Sequence, residues 1–183
     1  MRVISGKNRG TKLYTLEGLE TRPTLDRVKE SLFNIINFDI PNCVFLDLFA
    51  GSGAIGIEAA SRGAKKVVMC EKSKEAINII NKNLEKTRLK DEVKLFNEDF
   101  EKCISKLQEK FDIIYLDPPY KTDYAFKAVN LLLEKQLIKE ETIIIIETDI
   151  EQNVKTELKK LKIEEIDEKK YGRASLLFYK IKA

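Results

Sequence analysis

The hydrophobic positions of residues 43–181 form two alternating patterns. Short runs of consecutive apolar and β-branched residues, typical of strands buried on both faces, alternate with segments whose apolar residues recur at helical spacing. The predicted strands are Cys43–Leu48, Lys66–Cys70, Glu92–Phe96, Phe111–Leu116 and Thr142–Glu147. The predicted helices are Ala54–Ser61, a helix from the N-cap Ser73 to about Arg88, 100–109, Tyr124–Glu134 and 151–161. This regular alternation predicts an α/β fold with a parallel sheet.

The C-terminal end departs from this alternation. Lys162–Glu168 and Ser175–Ile181 have strand patterns, but no helical segment separates them, and Tyr171–Arg173 forms the connection. Two strands joined by so short a turn must run antiparallel. We therefore predict a Rossmann-like, doubly wound sheet of seven strands, mostly parallel, with an antiparallel last strand.

The N-terminal residues predict a separate appendage. Two short extended runs, 3–5 and 12–14, flank a Gly/Asn turn at 6–10, which is typical of a β-hairpin. A helical pattern follows, for which Thr24 is the expected N-cap. The predicted organisation is a basic hairpin extension over 1–22 and a main domain over 23–183.

Charge is concentrated in that extension. The chain has 183 residues, with 33 Lys and Arg against 30 Asp and Glu, so its net charge is only +3. Arg2, Lys7, Arg9 and Lys12 lie among the first twelve residues, which contain no acid. The whole positive excess therefore belongs to the appendage, for which charge alone favours a solvated basic tail over a contact with nucleic acid.

Several classes of protein are excluded by composition. The chain has no histidine, which rules out Ser-His-Asp triads, Cys-His dyads and histidine-ligated metals within it. No apolar run reaches the ~18 residues of a membrane span, and the N-terminal ten residues lack the apolar core of a signal peptide. We expect a cytoplasmic monomer with no membrane association and no metal.

A glycine loop follows the first predicted strand and indicates a ligand site. The loop reads Asp47-Leu48-Phe49-Ala50-Gly51-Ser52-Gly53-Ala54-Ile55-Gly56 and formally matches the dinucleotide fingerprint. Glycines permit close backbone approach to a ligand, and the following helix N-terminus offers free N–H groups. This motif alone allows an NAD-binding oxidoreductase, or a tight turn without any ligand.

Three acids favour a different cofactor. Asp47 lies at the end of the first strand, and Glu71 and Asp99 follow the second and third, so the carboxyl ends of the sheet bring them together. Asp47 would repel a pyrophosphate but could accept from an ammonium group, Glu71 could bind ribose hydroxyls, and Asp99 could accept from an adenine amino group. With the glycine loop and Phe100, these acids fit S-adenosylmethionine better than NAD.

The fourth strand ends in the reaction motif Asp117-Pro118-Pro119-Tyr120. Each proline fixes its own φ and restricts the preceding residue, so the Asp117 side chain and nearby carbonyls are held in fixed directions. Two fixed acceptors suit the two hydrogens of an exocyclic amine, and Tyr120 offers a face for stacking a base. With S-adenosylmethionine as a methyl donor, the motif would act by positioning the amine, and Asp117 would stabilise the charge that develops on nitrogen.

These motifs resemble those of class I SAM-dependent methyltransferases over 43–181. Asp117-Pro118-Pro119-Tyr120 resembles the Asp/Asn-Pro-Pro-Tyr/Phe signature of amino-group methyltransferases, which act on adenine N6, guanine N2, cytosine N4 or a glutamine amide. From the residues alone, the amine stays open among these possibilities.

The segment Arg22–Asn34 resembles the RPT-x-D-R-V-x-E-x-L-F-N segment of the RsmD family of bacterial 16S ribosomal RNA methyltransferases. The resemblance extends over the whole chain, least clearly in its C-terminal third. It implies transfer of a methyl group to guanine 966 at N2 and S-adenosylhomocysteine as the second product. It also implies that 16S ribosomal RNA, free or in an assembling small subunit, is the partner. The expected RNA contacts are Lys7, Arg9, Lys12, Arg22, Thr24 and Arg27.

Three alternatives remain at this point. One is an adenine-N6 or glutamine-amide methyltransferase, because the same reaction motif serves all these amines. Another is an NAD-binding oxidoreductase, which would leave Asp99 and Asp117 unexplained. The third is a non-catalytic RNA-binding protein, for which the basic extension would be sufficient.

Overall fold

The computed structural model describes residues 1–16 and 23–183, with only the backbone of Pro23 and Thr24. The helices in these residues are α1 (Pro23–Ile35), α2 (Ala54–Ser61), α3 (Lys74–Thr87), α4 (Phe100–Lys106), α5 (Tyr124–Glu134) and α6 (Glu151–Leu158). The strands are β1 (Val44–Asp47), β2 (Lys66–Cys70), β3 (Val93–Phe96), β4 (Phe111–Leu116), β5 (Ile138–Thr148), β6 (Ile163–Tyr171) and β7 (Ala174–Ile181).

The strands form one sheet in the order β3-β2-β1-β4-β5-β7-β6. The first five strands run parallel to one another, whereas β7 runs antiparallel to both β5 and β6. The predicted doubly wound, seven-stranded sheet with an antiparallel last strand is therefore confirmed. The outermost strand, β6, is rich in Lys and Glu and largely exposed, which discourages pairing with another chain at this edge.

Helices cover both faces of the sheet. The face under α1, α2 and α3 holds one apolar cluster, which includes Ile57 and Ile80. The face under α4, α5 and α6 holds the other, which includes Phe100 and Val129. The helices on the two faces belong to the two halves of the sheet, and the order in which strands are added reverses between β1 and β4. At this point a doubly wound sheet opens a crevice at the carboxyl ends of its strands.

Several element boundaries differ from the sequence-based prediction. β5 begins at Ile138 rather than Thr142, because an irregular pairing with Phe111 extends it. Buried Thr142 stabilises this irregularity by donating to the carbonyl of Phe111 and accepting from the amide of Lys139. α1 begins at Pro23, one residue before the expected N-cap, since proline suits the first helical position. α4 and α6 each end three residues early.

The N-terminal residues form an antiparallel turn that packs on the main domain. An antiparallel bridge joins Arg2 to Lys12, and the amides of Val3 and Gly10 bond across the turn. Val3 and Leu13 are buried in the cluster under α1–α3. Residues 1–16 therefore share a core with the main domain, while the expected boundary at 22 lies outside the described residues. Across 1–16 and 23–183, no helix combines the length and apolar character needed to cross a membrane.

Candidate functional site

A cavity of about 950 Å³ opens at the carboxyl ends of β1–β4, where the fold places its crevice. The sequence-predicted residues in its wall are Phe49, Gly51, Glu71, Asp99, Phe100, Asp117, Pro118, Pro119 and Tyr120. The residues in its wall that sequence reasoning missed are Leu48, Lys72, Ser73, Glu98, Glu101, Lys102 and Tyr124. The structure thus brings most of the expected cofactor residues and all four expected reaction residues into one cavity.

The glycine loop forms the turn between β1 and α2. Gly53 has a φ of 81° and immediately precedes the first residue of α2, a conformation that glycine adopts without steric cost. Glu71, at the end of β2, accepts hydrogen bonds from the amides of Gly51 and Ser73, both at 2.8 Å. This carboxylate therefore holds two cavity loops in place while retaining lone pairs that could bind a ligand hydroxyl.

Asp99 has a structural role as well as a place in the cavity wall. Its Oδ1 accepts from the amide of Lys102 at 3.0 Å, which caps the N-terminus of α4. Sequence reasoning assigned the carboxylate to a ligand and did not anticipate the cap. Because the capping bond uses one oxygen, the other can still accept from an amino group in the cavity.

Three aromatic rings pack together at the cavity. The Phe49 and Phe100 ring centroids are 5.3 Å apart, and Tyr124 lies 5.0 Å from Phe100 and 6.4 Å from Phe49. Such a cluster offers an apolar surface against which a planar ring can pack. Tyr124 was missed because it is the first residue of α5, and only the fold brings it beside the loops after β1 and β3.

Asp47 ends β1 beneath the glycine loop and is completely buried. Neither carboxylate oxygen has a hydrogen-bond partner among the described residues. Burial raises the pKa of Asp47 to about 7. The backbone amides of Phe49 and Gly56 point towards the carboxylate and partly oppose this rise, but neither makes a hydrogen bond of normal geometry with it. A buried carboxylate without a partner is costly, so Asp47 can accept from a donor that the described residues do not supply.

The remaining predicted cofactor residues lie just outside the cavity wall. Ala50, Ser52 and Gly53 lie in the turn behind Gly51, and Asp47 lies beneath it. The carbonyl of Ser52 accepts from the Nδ2 of buried Asn83 on α3 at 3.0 Å. Asn83 also donates to the carbonyl of Tyr14 at 3.0 Å and accepts from its amide at 2.7 Å.

The reaction motif leaves β4 as an exposed loop on the cavity wall. Tyr120 is 73% exposed. Thr122 donates to the carbonyl of Pro119 at 2.8 Å and closes the following turn. Burial among neighbouring protein atoms raises the pKa of Asp117, and so do the negative charges of Glu147 and Asp47. Because Asp117 is exposed at the cavity, water reduces the contribution of burial.

A second carboxylate lies beside Asp117. Leu116 of β4 pairs with Ile146 of β5, so Asp117 and Glu147 are the next residues along the two strands. The hydroxyl of buried Tyr115 donates to the Oε2 of Glu147. Burial raises the pKa of Glu147, which the Tyr115 hydrogen bond opposes. Glu147 was missed because the sequence shows it only as the polar end of an apolar strand.

The basic extension is held against α2. The carboxylate of Glu58 accepts from the amides of Ile4 at 2.9 Å and Ser5 at 3.1 Å. It also accepts from the Nε of Arg62 at 2.9 Å and forms a buried ion pair with Lys29 at 3.2 Å. These contacts make residues 1–16 a fixed surface on the main domain.

The expected RNA contacts differ in their surroundings. Lys7 forms an ion pair with Glu92, which neutralises part of its charge, whereas Arg9, Lys12 and Arg27 are exposed. The side chain of Thr24 and all of Arg22 lie outside the described residues.

The comparisons with known proteins agree with this geometry. A family model described as Conserved hypothetical protein 95 matches residues 1–180. The chain is 40% identical over 152 residues to "Ribosomal RNA small subunit methyltransferase D" of Haemophilus influenzae, covering 81% of this chain and 79% of that protein. The protein of the same name from Escherichia coli K12 is 32% identical over 156 residues, and the match covers 85% of this chain and 78% of that protein.

Solved structures give the same fold. A hypothetical protein of Thermus thermophilus, TTHA0928, is 27% identical, with a TM-score of 0.79, and the match covers 100% of this chain and 99% of that one. A tRNA m1G37 methyltransferase of M. jannaschii, 22% identical with a TM-score of 0.68 over 88% of this chain and 50% of its own, shares the fold. The chain therefore belongs to the family described as Conserved hypothetical protein 95, the RsmD family of SAM-dependent methyltransferases.

Proposed function

We propose that the protein transfers a methyl group from S-adenosylmethionine to the N2 amine of a guanine in 16S ribosomal RNA. The proposal includes a monomeric enzyme that acts in the cytoplasm, leaves S-adenosylhomocysteine and needs no metal. The observation that carries it is the single cavity that joins the glycine loop, the strand-end acids and Asp117-Pro118-Pro119-Tyr120. The names of the relatives from Haemophilus influenzae and Escherichia coli support small-subunit ribosomal RNA as the substrate.

The cofactor fits the donors and acceptors in the cavity wall and beneath it. Asp47 has two buried oxygens without partners among the described residues, which suit an ammonium group. Glu71 and Asp99 each retain acceptor capacity, which suits ribose hydroxyls and an adenine amino group, and the Phe49–Phe100–Tyr124 cluster offers packing for a flat ring. When bound, S-adenosylmethionine supplies an activated methyl group.

The reaction motif positions the amine. An aromatic amine is a weak nucleophile because its lone pair is delocalised into the ring. Hydrogen bonds from its two hydrogens to Asp117 and to the carbonyl of Pro118 would favour a tetrahedral nitrogen whose lone pair points away from the motif. The Asp117 carboxylate then stabilises the positive charge that develops on nitrogen.

Proton release needs no strong base. A methylated aromatic ammonium is very acidic, so its proton can pass to Asp117 or to water after the methyl group has transferred. The raised pKa of Asp117 makes it a better acceptor than an ordinary aspartate. This chemistry agrees with a chain that contains no histidine.

Mass spectrometry of nucleosides tests this function. Ribosomal RNA, both free and in small subunits that lack the modification, is incubated with the protein and S-adenosylmethionine, digested and analysed. We expect N2-methylguanosine with the wild type and with Asp91→Ala, which alters an exposed aspartate, and none with Asp117→Ala. If the product is N6-methyladenosine, the base that is methylated is adenine and not guanine. RNA binding without any methylated nucleoside would favour a non-catalytic protein.

A further inference from the structure

Two carboxylates, Asp117 and Glu147, lie side by side at the carboxyl ends of neighbouring strands. The proposed chemistry uses only that of Asp117. Asp117 follows β4 and holds the amine, whereas Glu147 on β5 is one strand away at the same level of the sheet. Neighbouring strands lie roughly 5 Å apart, so the two carboxylates can meet adjacent atoms of one planar ligand edge.

The contacts of Glu147 leave one oxygen available. Its Oε2 accepts from the hydroxyl of Tyr115, which is itself fully packed beneath the loop, so the carboxylate has a fixed orientation. No described residue donates a hydrogen bond to its Oε1, and no described Lys or Arg forms an ion pair with it. A half-buried carboxylate that faces another carboxylate and lacks a cation is unfavourable unless a ligand supplies a donor.

The edge of guanine supplies such a donor. Guanine carries hydrogens on both N1 and its 2-amino group, so two acceptors side by side can take one hydrogen from each. Adenine has an unprotonated N1 beside its 6-amino group, and that lone pair would face the Glu147 carboxylate. The same reaction motif can serve either amine, so the second carboxylate is where the two bases would be told apart.

We propose that Glu147 selects guanine by accepting a hydrogen bond from its N1–H while Asp117 binds the 2-amino group. Tyr115 is a positioning residue that holds Glu147 in the required orientation. This inference rests on the proposed function, because it assumes that a guanine amine is the methyl acceptor.

The test removes the N1 hydrogen while keeping the reacting amine. The RNA substrate identified by nucleoside analysis is prepared with 2-aminopurine in place of the target guanine; this base retains the 2-amino group but has an unprotonated N1. For the wild type, we expect kcat/KM to be at least about tenfold lower on this RNA, in line with one lost hydrogen bond to a charged group.

The variant Glu147→Gln should change this preference. A glutamine amide can donate to an unprotonated N1, so we expect kcat/KM on guanine to fall about 10–100-fold and the preference over 2-aminopurine to approach one. Tyr115→Phe should reduce the preference less, because Glu147 remains but is no longer held. In both variants, the affinity for S-adenosylmethionine should stay within about twofold of the wild-type value. This measurement checks that the cavity is intact.

A matched control lies elsewhere in the sheet. Tyr179 donates to Glu165 across β7 and β6, a second Tyr–Glu pair on adjacent strands that, unlike Tyr115 and Glu147, does not adjoin Asp117. Glu165→Gln should keep the wild-type preference. Equal wild-type rates on guanine and 2-aminopurine, or an unchanged preference in Glu147→Gln, would overturn the inference and leave the proposed function intact. A wild type that methylates no guanine would instead refute the proposed function, and this inference with it.

Discussion

Two buried carboxylates, Glu58 and Asp47, show how differently the two ends of α2 are built. Both are completely buried. Glu58, near the C-terminal end, accepts from two backbone amides and from Arg62 and pairs with Lys29. Asp47, beneath the loop that precedes the N-terminal end, has no hydrogen-bond partner among the described residues.

The difference separates a carboxylate that maintains the fold, Glu58, from one to which the proposed function assigns the ammonium group of a ligand, Asp47. A buried charge surrounded by donors fixes the elements that carry those donors, here the basic extension and α1. A buried charge without donors reduces the stability of the protein alone and is tolerated where a ligand completes it. The following predictions test this distinction, from the largest expected effect on stability to the smallest.

Removal of Glu58 should have the largest effect. Glu58→Ala leaves Lys29 buried without its carboxylate and the amides of Ile4 and Ser5 without an acceptor, so we expect a loss of about 3–5 kcal/mol in the free energy of unfolding. Urea denaturation measures it. The matched control is Glu75→Ala, at an exposed position of α3, which should change stability by less than about 0.5 kcal/mol. A loss below about 1 kcal/mol for Glu58→Ala would contradict its structural role.

Asp47→Asn should have an effect that depends on pH. The pKa of Asp47 is raised in the folded state to about 7, so ionisation destabilises the fold progressively as pH rises from about 4 through 7. The stability of the variant relative to the wild type should therefore increase by roughly 2–4 kcal/mol between pH 4 and pH 8. Denaturation at both pH values measures this change.

The same substitution should weaken cofactor binding. Asparagine retains an acceptor but loses the charge that would face an ammonium group, so affinity for S-adenosylmethionine should fall at least about tenfold in calorimetry at pH 8. A variant whose relative stability does not vary with pH and whose affinity is unchanged would show that Asp47 is an ordinary buried group.

Gly6→Ala should disrupt the contact between the extension and α2. Gly6 has a φ of +85°, and an added Cβ would lie 2.0 Å from the carbonyl oxygen of Ser61. We expect a loss of about 1–3 kcal/mol, measured by urea denaturation. Gly10→Ala is the matched control, because its φ is +86° but no atom lies within 4 Å of the added Cβ. Equal losses in the two variants would mean that backbone strain alone, without the close contact, explains the effect.

The combined substitution Lys7→Glu and Arg9→Glu should affect stability least. Lys7 and Arg9 are exposed, and the ion pair of Lys7 with Glu92 contributes at most about 1 kcal/mol. RNA binding should nevertheless weaken, and the salt dependence of its affinity should become shallower by about one unit of slope for each lost phosphate contact. Affinity for S-adenosylmethionine should not change; a parallel loss of both affinities would show that the extension maintains the cavity rather than binding RNA.

The sequence predicted those parts of the site that are continuous in the chain. The glycine loop after Asp47 and the motif that begins at Asp117 could be recognised because each lies at the end of an apolar run, and the fold order then places both at one edge of the sheet. The antiparallel last strand could be predicted because the segment between β6 and β7 is too short for a helix.

The parts that depend on three-dimensional neighbours could not be predicted. Glu147 becomes relevant only through the register of β5 against β4, which no local pattern specifies. The capping bond of Asp99 and the ion pair of Lys7 likewise depend on which atoms are close after folding. The lack of partners for Asp47 among the described residues is also a property of packing, since the sequence shows only an acid at a strand end.

Asn83 has a consequence for how substitutions combine. Its side chain holds the backbone of Tyr14 in the extension and the carbonyl of Ser52 in the glycine loop at the same time. Free energies of substitution add only when two sites share no common partner. The extension and the glycine loop share this one amide, so double variants that combine a change in each should depart from additivity, and replacement of Asn83 should remove that coupling.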